Sequence, residues 1–331
     1  MSRSLQIAAL AVVTLSRVTP AWPCSIFTAH DTQTVLVGDN EDWYLAPTSI
    51  IWFVPASPGK HGYVAWGFDS NHYAQGGMND QGLFFDGLAT PQHTVTVSGA
   101  KPFTLTTPEE VLQVSATLDE ALTNLAGYDL AQAFAQAQLL FVDRTGASAI
   151  FDGDTVTKPT GTYQIGTNFL PAHPELGAWP CPRYITLKNM MEQGLKLTPE
   201  YFRDMARAAQ QGTVVGTTVS TRYTTVADLK MGKLWLYYER DFDNPVVFDL
   251  AAELAKGAHE HKMSAIYVPP PDQGVVQDAG ADLPVPPADA ALSGDNSGGC
   301  RFGAAPGPAG WPLLFCLALV AVALRLGRAA P

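Results

Sequence analysis

The chain has 331 residues and a formal net charge of −11, with 20 Lys and Arg against 31 Asp and Glu, which argues against a nucleic acid partner. Hydrophobic residues make up 47% and aromatics 10%, ample for a packed core and against wholesale disorder. Only 15% of residues are charged, while 29 are Gly and 25 are Pro, so coiled coils and helical repeat arrays are disfavoured too.

In chain order, the first feature is an address label. Arg3 precedes the apolar run Leu5 to Leu15, and small and turn residues follow to Ala21, the layout of a secretory signal peptide. Cleavage after Ala21 leaves Trp22-Pro23 as a short propeptide in front of Cys24, so residues 1–23 are read as leader. Ser25 to Gly38 then reads as two strands joined by a turn at His30-Asp31-Thr32-Gln33, with further strands at Ile50 to Val54 and Gly82 to Leu88. Thr107-Pro108-Glu109-Glu110 opens a helix through Val111, and a second helix is expected over Leu130 to Ala137. A hairpin around Asp143-Arg144-Thr145-Gly146 follows. Helices are expected near Tyr184 to Glu192 and over Pro199 to Gln210. Thr221 to Leu250 reads as an antiparallel meander ending in a helix at Ala251 to Lys256. Strands, then helices, then strands again predict an α+β domain over 24–267, with antiparallel sheets covered by helices. No Gly-rich phosphate loop follows a strand, so no nucleotide cofactor is expected.

Residues 268–299 turn to Pro, Ala, Asp, Gly and Ser, as in an extended linker. Residues 300–331 follow Gly298-Gly299 and run from Cys300 through a Gly/Pro/Ala spacer and the apolar stretch Trp311 to Leu324 to Arg325 and Arg328. That order resembles the myxobacterial C-terminal sorting signal, which implies export, cutting near Cys300 by a sorting protease, and retention at the membrane or cell surface. The apolar stretch would span about 21 Å as a helix against a hydrocarbon core of about 30 Å, short for a permanent anchor.

Of the four cysteines, only Cys24 and Cys181 fall in the domain. In an oxidising compartment they could form a disulfide. Alternatively, processing exposes Cys24 as the first residue, whose α-amine, with a pKa near 7.7–8.0, takes the proton of its own thiol. His259 and His261 flank Glu260 at what reads as a helix end, with no third ligand in spacing, so no metal is expected. Trp43, Tyr44, Trp52, Trp66 and Phe68 read as aromatic core before acyl pocket.

The motifs downstream of Cys24 favour the nucleophile. Cys24-Ser25-Ile26-Phe27 is followed by Gly38-Asp39-Asn40-Glu41-Asp42-Trp43, Gly76-Gly77-Met78-Asn79-Asp80-Gln81-Gly82-Leu83, Asp86-Gly87-Leu88, Gly166-Thr167-Asn168 and Pro182-Arg183-Tyr184. In this order the set resembles the N-terminal-nucleophile hydrolases of linear amides, the group of choloylglycine hydrolases, penicillin V acylases and related acyltransferases. The resemblance, over roughly residues 24 to 250, implies a four-layer αββα sandwich and an amidohydrolase acting on a small-molecule nonpeptide amide. It places the nucleophile at Cys24, the acid that holds the catalytic amine at Asp42, an oxyanion donor at Asn168 and an active-site arginine at Arg183. Choloylglycine hydrolases carry an arginine where this chain has Asp39 and a second oxyanion asparagine where it has Ala89. Asn40, in the acyltransferase-like Gly-x-Asn-x-Asp-Trp pattern, is the candidate to supply the missing donor. An acyltransferase or dipeptidase on the same fold, or a noncatalytic surface domain, are the alternatives.

Overall fold

The computed structural model describes residues 24–212 and 219–269, all within one unit, Ala21–Arg301. The leader, nearly all of the linker and the C-terminal tail lie outside the described residues. Among the described residues no helix is long and apolar enough to cross a membrane.

The chain begins with strands β1 (Ser25–His30), β2 (Val35–Tyr44), β3 (Ser49–Val54), β4 (Tyr63–Phe68), β5 (Tyr73–Asn79), β6 (Phe84–Ala89) and the two-residue β7 (Lys101–Pro102). Helices α1 (Thr107–Val114) and α2 (Leu118–Leu125) follow, then β8 (Tyr128–Asp129), β9 (Ala137–Val142), β10 (Ser148–Phe151), β11 (Val156–Thr157) and β12 (Tyr163–Gly166). After α3 (Pro182–Gly194) and α4 (Pro199–Ala208) come β13 (Val219–Asp228), β14 (Lys233–Tyr238), β15 (Val246–Asp249), α5 (Leu250–Leu254), β16 (His259–Lys262) and α6 (Met263–Ile266). A six-stranded sheet has the order β12-β1-β2-β13-β14-β15, and an eight-stranded sheet the order β11-β10-β9-β6-β5-β4-β3-β16. Every pairing within the two sheets is antiparallel.

Alternation along the strands divides the apolar residues among three clusters. Ile26, Val35 and Val37 of the smaller sheet pack against Phe53, Trp66 and Phe84 of the larger one. On the outer face of the larger sheet, Trp52, Ala65 and Phe85 meet Leu112, Leu118 and Ala121 of α1 and α2. On the outer face of the smaller sheet, Phe27 and Leu36 meet Leu187, Phe202 and Met205 of α3 and α4. Helices thus pack against both antiparallel sheets. The caps are local: Thr117 and Thr198 accept hydrogen bonds from the backbone N–H of Glu120 and Tyr201, closing the first turns of α2 and α4.

Two elements differ from expectation. The helix expected over Leu130 to Ala137 is an irregular turn, and the second helix lies earlier, at Leu118–Leu125. One helical bond forms, Phe134 N–H to the Leu130 carbonyl at 2.9 Å, but Ala137 already faces Ala89 in the β6–β9 ladder. Sheet pairing there overrides the Ala/Leu/Gln helix preference. His259 to His261 form an edge strand on β3, not a helix end. His259 stacks on Phe53 with ring centroids 4.7 Å apart and lies 3.2 Å from Glu253.

Gly38 holds the sheet–helix contact open. It faces Phe27 across the β1–β2 ladder, and a Cβ there would sit 2.4 Å from the Phe27 ring, whose other neighbour is Phe202 of α4 at 5.5 Å. Gly38→Ala should therefore lower unfolding free energy by about 1–3 kcal/mol through overpacking. Phe202→Ala should cost about 3–5 kcal/mol through a cavity. Urea titration followed by circular dichroism reads both, and unchanged midpoints would contradict this packing.

Candidate active site

Cys24 immediately precedes β1 and is 4% exposed. Its Sγ donates to the backbone carbonyl of Asp42 at 3.8 Å, near the end of the neighbouring β2. Cys24 is a free thiol. The Cys24–Cys181 disulfide that oxidation alone would favour is thus not formed. Burial, with the charges of Glu41 and Asp42 next in weight, pushes the Cys24 thiol well above its usual range. The neutral thiol is the resting form.

The Asp42 carboxylate is tied on both oxygens. Oδ2 accepts from Arg183 Nη1 at 3.1 Å, and Oδ1 accepts from the hydroxyl of Thr221, which faces Asp42 across the β2–β13 ladder. Arg183 Nη2 donates to Asn168 Oδ1 at 2.6 Å, and Asn168 Nδ2 donates to the Ala89 carbonyl at 2.9 Å. Asp42, Asn168 and Arg183 are all buried. Arg183 stands in the first turn of α3, where the helix dipole disfavours a cation, so its partners rather than its helix hold it there. Burial pushes the Asp42 carboxyl up to about 7, against the lowering effects of Arg183 and Thr221.

The structure thus gathers four of the five candidate residues, Cys24, Asp42, Asn168 and Arg183, into one connected group. Asn40 sits elsewhere. Its Nδ2 donates to the Ala206 carbonyl of α4 at 2.8 Å and its Oδ1 accepts from Thr224, on the helix-facing side of the sheet. Ala89 offers a backbone carbonyl where a second asparagine would offer an amide. Thr221 was not visible in the sequence because only the β2–β13 register brings it to Asp42. Trp52, Trp66 and Phe68 are buried core residues, while Trp43 and Tyr44 are half-buried. Among the described residues one group of side chains is close enough to hold a metal ion: Asp39, Glu41 and Asp86.

No protein-family model matches the sequence, and no characterised protein matches it by sequence. Solved structures do match. Penicillin V acylase from Agrobacterium tumefaciens superposes with a TM-score of 0.54 at 17% identity, over 72% of this chain and 91% of that one. A variant of the conjugated bile acid hydrolase from Clostridium perfringens superposes with a TM-score of 0.53 at 15% identity, over 72% and 97%. Identities this low speak to the fold alone. The shared fold is a sandwich of two antiparallel sheets with helices.

The Asp42–Arg183 pair gives a stability prediction. Removing one partner of a buried ion pair costs about 3–5 kcal/mol, because the other charge is stranded. Arg183→Met should lose that much, and Asp42→Asn combined with Arg183→Met should recover part of it. The loss should also depend on pH. Without its cation Asp42 keeps a proton to higher pH than the wild type, which releases it near 7. The native variant then binds more protons, so its deficit grows as pH climbs through 7 and is smaller at pH 5. Urea titrations at pH 5 and 8 test this, and a deficit equal at both would show that Arg183 does not govern Asp42.

Proposed function

We propose that this protein is a cysteine amidohydrolase that cleaves a linear nonpeptide C–N amide through an acyl-enzyme on Cys24. The observation that carries the reading is the placement of a free, buried Cys24 thiol against Asp42, whose carboxylate is linked through Arg183 to Asn168. The fold likeness to two amidohydrolases supports it.

The chemistry follows from the resting state of the thiol. Release of residues 1–23 would give Cys24 an α-amine with a pKa near 7.7–8.0, which accepts the thiol proton as sulfur attacks the amide carbonyl. The carbonyl electron pair moves to oxygen, and a fixed amide donor such as Asn168 Nδ2 stabilises that oxyanion. Collapse expels the amine, which takes the proton back from the Cys24 ammonium, and leaves a thioester. Water, deprotonated by the same α-amine, then attacks the thioester, releases the carboxylic acid and restores the thiol. Asp42 accepts a hydrogen bond from the α-amine and Arg183 keeps Asp42 ionised.

Cys24→Ala should fold and show no turnover. Asn168→Ala should lower kcat by about two orders of magnitude, in line with about 2.7–4 kcal/mol for one oxyanion donor, and cost about 1–3 kcal/mol of stability because Arg183 and the Ala89 carbonyl each lose a buried partner. Mass spectrometry of the active protein should find Cys24 at the N-terminus; active protein that keeps Trp22-Pro23 would overturn the reading. Penicillin V, a conjugated bile salt, an acyl-homoserine lactone and a dipeptide, assayed side by side with and without an amine acceptor, separate hydrolase, dipeptidase and acyltransferase. The leader and tail support export followed by retention at the cell surface through Cys300. Cys300→Ser should then release the protein or leave the tail uncut, as read by membrane fractionation.

A further inference from the structure

Three carboxyl side chains from the two facing sheets meet in the core that contains Cys24. Asp39 and Glu41 alternate with Asn40 on β2 and point to the inter-sheet side, while Asp86 reaches them from β6 of the other sheet. All three are buried, and one oxygen from each lies within 4.8 Å of the others. Asp39 Oδ2 accepts from Thr225 at 3.2 Å and Asp86 Oδ2 from Trp66 Nε1 at 3.1 Å. Gly76 makes room for the second bond, since a Cβ there would sit 2.0 Å from Asp86 Oδ2.

Among the described residues no N–H or O–H donor reaches Asp39 Oδ1, Glu41 Oε2 or Asp86 Oδ1, although Asp39 and Asp86 lie close enough to share a proton, and the fully buried hydroxyl of Tyr223 has no partner there. Tyr223 faces Glu41 in the β2–β13 ladder and lies in the field of the same three acids. The nearby arginines serve elsewhere: Arg183 binds Asp42 and Asn168, and Arg222 is directed to Tyr44 and Glu239. Two carboxyls can share a proton, but three carboxyls and a phenol leave oxygens over. Buried polar groups without partners are rare in folded proteins.

The chemistry of the donors selects an occupant. Every ligand atom offered is oxygen, which suits a hard cation. Oxygens bound to one calcium ion at about 2.4 Å are at most about 4.8 Å apart, a limit that the three carboxylates meet. Magnesium holds several waters in a strict octahedron, which this fully buried, carboxylate-lined space does not favour. We propose that Asp39, Glu41 and Asp86 form a buried calcium site that ties the two sheets together beside Cys24, with the Tyr223 hydroxyl as a fourth oxygen.

The test reads metal content and unfolding of the full-length protein, so its result stands apart from whether Cys24 is a nucleophile. Protein dialysed against metal-free buffer should retain close to one equivalent of calcium by elemental mass spectrometry. After EDTA treatment, the Tm should fall and then climb with added CaCl2, by roughly 5–10 °C at a hundredfold excess over Kd, and less with MgCl2. Asp86→Asn should abolish both the bound calcium and the response. Should Asp86→Asn fail to fold, Tyr223→Phe, which keeps the ring, should weaken calcium binding several-fold in the same titration. A wild-type Tm and metal content indifferent to EDTA and calcium would overturn the site and leave the acids sharing protons. So would a calcium response unchanged in the variants.

Discussion

The constraint on which the rest depends is the position of β2. It lies inside the smaller sheet between β1 and β13, with the larger sheet on one face and helices on the other. Each of its residues must therefore be satisfied on one covered side or the other, alternating with the pleat. Val35 and Val37, followed by Asp39 and Glu41, enter the inter-sheet core. Leu36, Gly38, Asn40 and Asp42 face the helix layer and the elements around it. A one-residue slip would exchange the two sets, so the ladder with β13 fixes where every polar group of Gly38-Asp39-Asn40-Glu41-Asp42 ends up.

That division explains why neighbouring residues have such different partners. Asn40 binds the last turn of α4 and Asp42 the first turn of α3, so two helices are pinned to one strand by polar contacts as well as by Phe202 and Leu187. Asp39 and Glu41 meet Asp86 instead. A strand that buries charged and polar side chains on both faces is costly to assemble but unambiguous once assembled. Burying Asp42 and Arg183 together is weak evidence for added stability; its physical effect is to hold an ionised carboxylate close to a thiol that burial keeps neutral.

The strand alternation, the turns and the N-terminal signals at Thr107-Pro108 and Thr198-Pro199 were legible in the sequence because each is local. The grouping of Cys24, Asp42, Asn168 and Arg183 was legible through motif order, since no spacing rule links a strand start to a helix start 159 positions later. What stayed hidden was long-range. Thr221 and Tyr223 reach β2 through a register that shifts between them, and Asp86 reaches Asp39 from the opposite sheet. Strands β4 and β5 were missed because Gly67, Gly76 and Gly77 lower strand preference. They are tolerated because the opposing backbone or the Trp66–Asp86 pair occupies the space of a side chain. Leu130 to Ala137 erred in the other direction, towards helix, where the β6–β9 ladder decides.

The sequence His259-Glu260-His261-Lys262 forms an outermost strand of the larger sheet, with one row of its backbone paired to β3. An outer strand offers its other row of amides and carbonyls as a template for a foreign strand. Here the strand carries Lys262, Glu260 and two imidazoles, and it is only four residues long. Docking another strand there would mean stripping water from those groups. The larger sheet is thereby protected by solvation against end-to-end growth into fibres at this border.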